Sequence, residues 1–145
     1  MRSYEYRHQV GFEDTNLVGN VYYANHVRWQ GRCREMFLRQ HAPQVLAELA
    51  QGLSLVTTRV SCTYYEELLA FDEVLIRMRA GAVSAGRLTM LFDYMRVSPD
   101  GREELVARGE QEIACLRREG SRQVAGALPE ALRAALEPFL VPQAS

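Results

Sequence analysis

The residues of this chain whose types and spacing suggest chemistry fall between positions 11 and 37, GFEDTNLVGNVYYANHVRWQGRCREMF. A run of Asp, Asn and Gly, which favour loops and caps, opens the segment. Apolar residues at helical spacing follow. Tyr22, His26, Trp29, Cys33, Met36 and Phe37 share one face, and Arg28, Arg32, Glu35 and Arg39 fall largely on another. The N-terminus of such a helix presents unpaired N–H groups and a partial positive charge. These are suited to hold the oxyanion that forms when a nucleophile adds to a carbonyl. On composition alone the same stretch also reads as a capped helix start with an Asx turn, and both readings stand at this point.

Other chemistries find less support. All 17 basic residues are Arg, so a Walker lysine, a Schiff base and a lysine nucleophile are excluded. Ser84 sits in AVSAG, one residue short of a nucleophile-elbow motif, but between two strand-like runs where the motif needs a strand-to-helix turn. Cys33, Cys62 and Cys115 are widely spaced and lie at apolar positions, so small buried hydrophobes are expected, with no metal site. His8 alternates inward on a strand, and His41 lies at a helix C-terminus where a cap contact suffices. A net charge of −1 argues against nucleic acid and a polybasic membrane surface. No N-terminal apolar stretch resembles a signal peptide, and the longest uncharged run, 15–27, is too short and too polar to span a bilayer. A cytoplasmic protein of one domain, 1–145, is expected.

The elements that must position these residues follow from periodicity. Residues 4–12 alternate as a half-buried strand. A helix is expected over 21–41, with Asn20 as its N-cap and Gly31 explained by close packing against a sheet. Pro43 ends it, and 44–50 form a short second helix. From Leu55 the period becomes two, through Val56, Thr58, Val60, Cys62 and Tyr64. Runs over 74–80, 88–95 and, more weakly, 105–116 repeat it. The connections 81–86 and 98–101 are short and turn-like, which implies antiparallel neighbours. A short helix over 129–139 closes the chain. The architecture is α+β, and one helix for one sheet leaves a face or an edge to be covered by another copy.

The stretch FEDTNLVGNVYYANHVRW resembles the active-site pattern of hot-dog-fold thioesterases of the 4-hydroxybenzoyl-CoA thioesterase superfamily, F-x-D-x-D-x-x-G-x-V-[YW]-[YF]-x-N-Y-x-R-W. The longer run to Leu38 most resembles the thioesterases of enediyne polyketide biosynthesis. The resemblance implies a five-stranded antiparallel sheet wrapped around one long helix. It also implies protomers joined edge to edge, active sites at their interface and a dimer of dimers. No cofactor is implied. The substrate it implies is a polyene or β-ketoacyl thioester on the acyl carrier protein domain of an iterative polyketide synthase, whose hydrolysis gives a β-keto acid prone to lose CO₂. The superfamily's catalytic Asp falls on Asn16, which cannot act as a carboxylate base; the enediyne branch resembles this chain in carrying Asn there, with an Arg matching Arg34. An ion pair of Arg34 with Glu35 or Glu13 is the plainer alternative. Tyr23 supplies the matching main-chain oxyanion donor. Gly19, Tyr22 and His26 stand in the substrate-binding stretch, His26 where the superfamily has Tyr. Thr57, with Thr58, is expected to line the pocket from a partner chain. Met36, Phe37, Met90 and Phe92 are candidate walls of an acyl channel, and Glu13 and Asp14 are spare carboxylates.

Overall fold

The computed structural model describes residues 2–142. Strand β1 (Tyr4–Gln9) leads through a 3-10 turn (Phe12–Asp14) and a tight loop to helix α1 (Ala24–His41). Helix α2 (Pro43–Leu49) and strands β2 (Leu53–Tyr64), β3 (Glu73–Val83), β4 (Arg87–Val97) and β5 (Glu103–Glu119) follow. Strand β6 (Arg122–Ala125) and helix α3 (Glu130–Leu136) come last, continued by a 3-10 turn (Glu137–Phe139). The sheet is antiparallel in the order β1-β3-β4-β5-β2, and β6 hairpins back onto β5 as a sixth strand. The expected five strands are thus present, joined by a short one whose four residues are too few to register as alternation.

The sheet curls around α1. Trp29, Cys33 and Phe37 of the helix share one core with Met78, Met90, Phe92 and Tyr94 of the sheet. Burying each large side chain contributes roughly 1.5–3 kcal/mol. Phe37 is 0% exposed and its ring meets Tyr4, His41 and Phe139. It is packed as a core residue. Met90 and Phe92 are equally enclosed. The Ser84 turn is a strand-to-strand hairpin, closed by the Ser84 N–H donating to the Arg87 carbonyl at 2.9 Å.

Four expectations about the helix and its neighbours are corrected. Helix α1 begins at Ala24 because residues before it are held extended: the Val21 N–H donates to the Leu68 carbonyl and the Tyr22 N–H to the Asp14 carbonyl. Asn20 is consequently no N-cap; its side-chain amide donates to Glu67 at 3.2 Å. Gly31 does not mark close packing, since a Cβ there would meet nothing within 4 Å. Strand β2 contains a bulge between Thr57 and Arg59. A bulge reverses which alternate residues face inward. Leu53 and Leu55 join the core before it and Cys62 after it, so the continuous alternation expected from Val56 to Tyr64 is broken midway. Among the described residues no helix is long and apolar enough to cross a membrane.

Candidate active site

The loop after β1 is fastened by its own backbone. The Asn16 N–H donates to the Asn20 carbonyl at 2.9 Å, the Gly19 N–H donates to the Asn16 carbonyl at 3.1 Å, and Thr15 bridges Val21. Gly19 has φ of +93°, which an L side chain rarely adopts and which this turn requires. The Asn16 side-chain oxygen accepts from the Val18 N–H at 3.0 Å, an Asx turn. Its amide nitrogen makes no hydrogen bond among the described residues and is exposed at the loop tip, beside the largely exposed Leu17 and Val18.

Tyr23 occupies the cap position of α1 without a side-chain cap. Its carbonyl accepts from the Tyr64 hydroxyl at 2.6 Å. Among the described residues no acceptor takes its N–H. This donor stands at the positive end of an 18-residue helix. Tyr22 packs its ring against Tyr23 at 4.8 Å and remains exposed. Below them opens a cavity of about 600 Å³ lined by Val21, Tyr23, His26, Tyr64 and Leu68, with Glu66 and Glu67 among its acidic lining.

His26 is 3% exposed and its ring lies among Trp29, Tyr64 and Tyr94. Neither ring nitrogen has a hydrogen-bond partner among the described residues. Burial pushes His26 down to about 4, countered in part by the nearby Tyr23 carbonyl. That carbonyl lies outside hydrogen-bonding geometry to the ring and is already taken by Tyr64. The ring is therefore neutral near pH 7, with one N–H and one lone pair to offer a guest. Tyr94 anchors this turn of helix through its hydroxyl, which donates to the His26 carbonyl at 2.6 Å.

Arg34 occupies a different place. Helical rise sets it about 15 Å along α1 from Ala24. One terminal nitrogen donates to the Thr57 hydroxyl at 2.8 Å and to the Gln111 side-chain oxygen at 3.3 Å; the other donates to the Leu55 carbonyl at 2.8 Å. All three acceptors are neutral. Glu35, expected as a possible ion-pair partner, binds Arg32 at 3.2 Å instead. Arg34 makes no ion pair among the described residues, and burial pushes its guanidinium below its ordinary range. The bulge beside Thr57 turns that hydroxyl toward the helix, while Thr58 donates to the Glu112 carbonyl at 3.1 Å.

Within one protomer Asn16, Tyr23 and His26 thus gather at the helix start, Arg34 and Thr57 gather beside the β2 edge, and the two groups do not meet. Asp14, a spare carboxylate by sequence, is 3% exposed, and its Oδ2 is engaged: it accepts from the Gly11 N–H at 3.0 Å and pairs with His8 Nε2 at 2.9 Å. Sequence periodicity missed Tyr64 and Gln111. Both reach α1 from the sheet, Tyr64 at the Tyr23 carbonyl and Gln111 at Arg34, contacts between residues 41 and 77 positions apart. Two surface arginines of α1 are also committed, Arg28 to the Asn25 side-chain oxygen at 3.2 Å and Arg32 to Glu35.

The sequence pattern of the thioesterase-like superfamily matches residues 10–136. Among solved structures, the dynemicin thioesterase, studied for induced-fit and allosteric effects upon polyene binding, is 48% identical. The match covers 98% of this chain and 100% of that one with a TM-score of 0.93. A 4-hydroxybenzoyl-CoA thioesterase variant complexed with 4-hydroxybenzoyl-CoA is 18% identical over 94% of this chain and 99% of its own, with a TM-score of 0.81. The 1,4-dihydroxy-2-naphthoyl-CoA thioesterase from Synechocystis is 18% identical over 93% and 96%, with a TM-score of 0.79. These last two likenesses show the fold alone. Among curated proteins none matches the chain. A helix start with an open main-chain donor, on a hot-dog sheet carrying this sequence pattern, makes the chain a thioester hydrolase of the thioesterase-like superfamily.

Proposed function

We infer that this enzyme releases a polyene or β-ketoacyl chain from the acyl carrier protein domain of an iterative polyketide synthase of the enediyne type. The observation that carries this reading is the 48% identity, over 98% of the chain, to the dynemicin thioesterase. Water adds to the thioester carbonyl while the Tyr23 N–H and the helix dipole hold the oxyanion. The free amide of Asn16 donates to the same carbonyl, and Tyr22 and Gly19 shape the loop around it. Arg34, backed by Thr57, offers a charge matched by no carboxylate to the oxygens of the acyl group. A thiolate, with a pKa near 8.5 for a simple thiol, leaves without strong acid assistance. That permits a site with no carboxylate at position 16. The product is a β-keto acid, whose loss of CO₂ is eased by delocalisation of the resulting enolate.

The two halves of this machinery meet only if a second copy supplies one of them. The β2 edge supports such pairing. It ends the sheet, runs for 12 residues and leaves Val56, Val60 and Tyr64 exposed. A long apolar edge of this kind is normally covered. Pairing β2 with the partner's β2 makes one continuous sheet and a composite site, and two such dimers form the tetramer. The enzyme then works in the cytoplasm on carrier-bound chains. Carrier protein is preferred to CoA here because Glu66 and Glu67 line the cavity, while Arg28 and Arg32 are already engaged. The test is mass spectrometry of acids released from matched acyl–carrier-protein and acyl-CoA substrates. Faster release from carrier protein is expected; equal or faster release from CoA would replace this reading with a general acyl-CoA thioesterase.

A further inference from the structure

We propose that His8 and Asp14 form a latch that sets the position of the Asn16 loop against the start of α1, making them positioning residues for the hydrolysis. Asp14 joins four parts of the chain. Its carboxylate accepts from the Gly11 N–H at 3.0 Å and meets His8 Nε2 of β1 at 2.9 Å. Its carbonyl accepts from the Tyr22 N–H at 2.9 Å and from the Asn25 side-chain amide at 2.8 Å. The first pair closes the 3-10 turn that launches the loop. The second pair forms the lowest rung beneath the Thr15–Val21 bridge, above which Asn16 and Gly19 make the tip. Asn16 lies two residues beyond Asp14, and Tyr23 lies one residue beyond Tyr22. One buried residue therefore fixes the height of both donors.

The latch is held from outside the loop. His8 packs its ring on Trp29 at 4.7 Å, and Arg28 donates to Asn25 at 3.2 Å, orienting the amide that grips the Asp14 carbonyl. Loop tip and helix start thus share a frame made of β1, Trp29 and the first turn of α1. Without His8, Asp14 keeps only the Gly11 N–H on its side chain, and a buried carboxylate left short of donors is costly. Relief comes by tilting the turn toward water, which moves Asn16 away from the Tyr23 N–H. Misplacement of a reacting geometry by about 1 Å is worth about 10²-fold in rate.

The inference rests on the proposed roles of Asn16 and Tyr23, so the test separates the two. Steady-state kinetics on one acyl N-acetylcysteamine thioester compare wild type, His8→Phe, His8→Gln and Asn16→Ala, with circular dichroism and thermal unfolding on each. His8→Phe preserves the ring on Trp29 and removes the hydrogen bond; it is expected to lower kcat about 10- to 100-fold with KM within about twofold. His8→Gln, which restores a donor, should recover most of the loss. A folded His8→Phe variant with wild-type kcat, a loss expressed in KM alone, or a His8→Gln variant no better than His8→Phe would overturn the latch. A normal kcat for Asn16→Ala would instead remove Asn16 from the site.

Discussion

The two ends of the working stretch of α1 are built on opposite principles. At its start, every group that the proposed mechanism offers to substrate is neutral: the Asn16 amide, the Tyr23 N–H and the His26 ring. They are aimed by backbone hydrogen bonds of a loop. Ten residues on, Arg34 offers a full charge, held by three neutral acceptors on two strands. Neutral donors at a helix terminus stabilise charge that appears during reaction, with little need to rearrange. A cation lacking a carboxylate partner gains most as negative charge develops on a carbonyl oxygen, so its contribution also falls chiefly on the transition state. In the proposed mechanism neither end is sufficient alone, and their separation along one helix calls for a second protomer.

The largest effect should come from keeping the ends apart. Val60 lies on the exposed edge of β2. A lysine at such a position is a known guard against edge pairing. Val60→Lys is expected to sediment as a 16.5 kDa monomer and to lose more than about 10³-fold in kcat, since both ends lose their complement. A monomer with full activity would show that one protomer suffices. Next comes Arg34→Ala, expected to lower kcat about 10²- to 10³-fold with folding retained by circular dichroism. Arg34→Lys should recover little, because a point charge cannot span acceptors set out for a planar fork. Full recovery by lysine would leave charge, and not geometry, as what that end supplies.

At the neutral end, Asn16→Asp is the sharper variant. The side-chain oxygen at 16 is already committed to the Val18 N–H at 3.0 Å. Aspartate keeps that acceptor and hence the turn, but it replaces the free amide donor with negative charge. Both Asn16→Asp and Asn16→Ala should lower kcat, by about 10²-fold, with Asp the slower. A faster Asn16→Asp would make position 16 an acceptor of the attacking water's proton, reversing the role assigned to it.

What the sequence discloses about these regions differs with the range of the interactions. The succession of strands along the chain, the long helix and the loop running into it follow from periods of two and 3.6 and from turn residues. These are local signals, and the order of strands in the sheet does not follow from them. The α1 boundary was placed three residues early because Val21 and Tyr22 are apolar and in phase, while their N–H groups are claimed by Leu68 and Asp14 from elsewhere in the chain. Phe37 has the composition of a channel wall; only packing against Phe139, 102 residues away, makes it core. The bulge at Thr57 carries no Gly or Pro to announce it, yet it decides that Thr57 faces Arg34. A motif singles out position 16. It does not disclose the mooring by Asp14 and His8, since an Asp in a loop looks the same whether it is exposed or buried.

His26 gives the smallest and most separable effect, because it is expected in stability more than in rate. Its folded-state value of about 4 lies below the ordinary 6.5 through burial among Trp29, Tyr64 and Tyr94. Between those values the unfolded chain takes up a proton that the folded chain refuses. The stability linked to His26 is therefore complete above about pH 6.5 and is lost as pH falls toward 4, on the order of 3 kcal/mol across the window. Tyr64, Tyr94 and Trp29 pack on the ring and carry no charge there; Glu66 and Glu67 share the cavity lining with His26, but no side chain is hydrogen-bonded to either ring nitrogen among the described residues. His26→Phe keeps the aromatic contacts and has no proton to bind. Urea unfolding at pH 7, 6 and 5 should show wild type losing stability faster than His26→Phe, so that the difference between them shifts against the wild type as pH falls. The kcat profile of wild type should lack a step near 6.5, since the ring is neutral throughout. A step near 6.5 that disappears in His26→Phe would mean the imidazole reaches solvent and titrates within the working site, placing a charge at the end of the helix where this comparison puts only neutral groups.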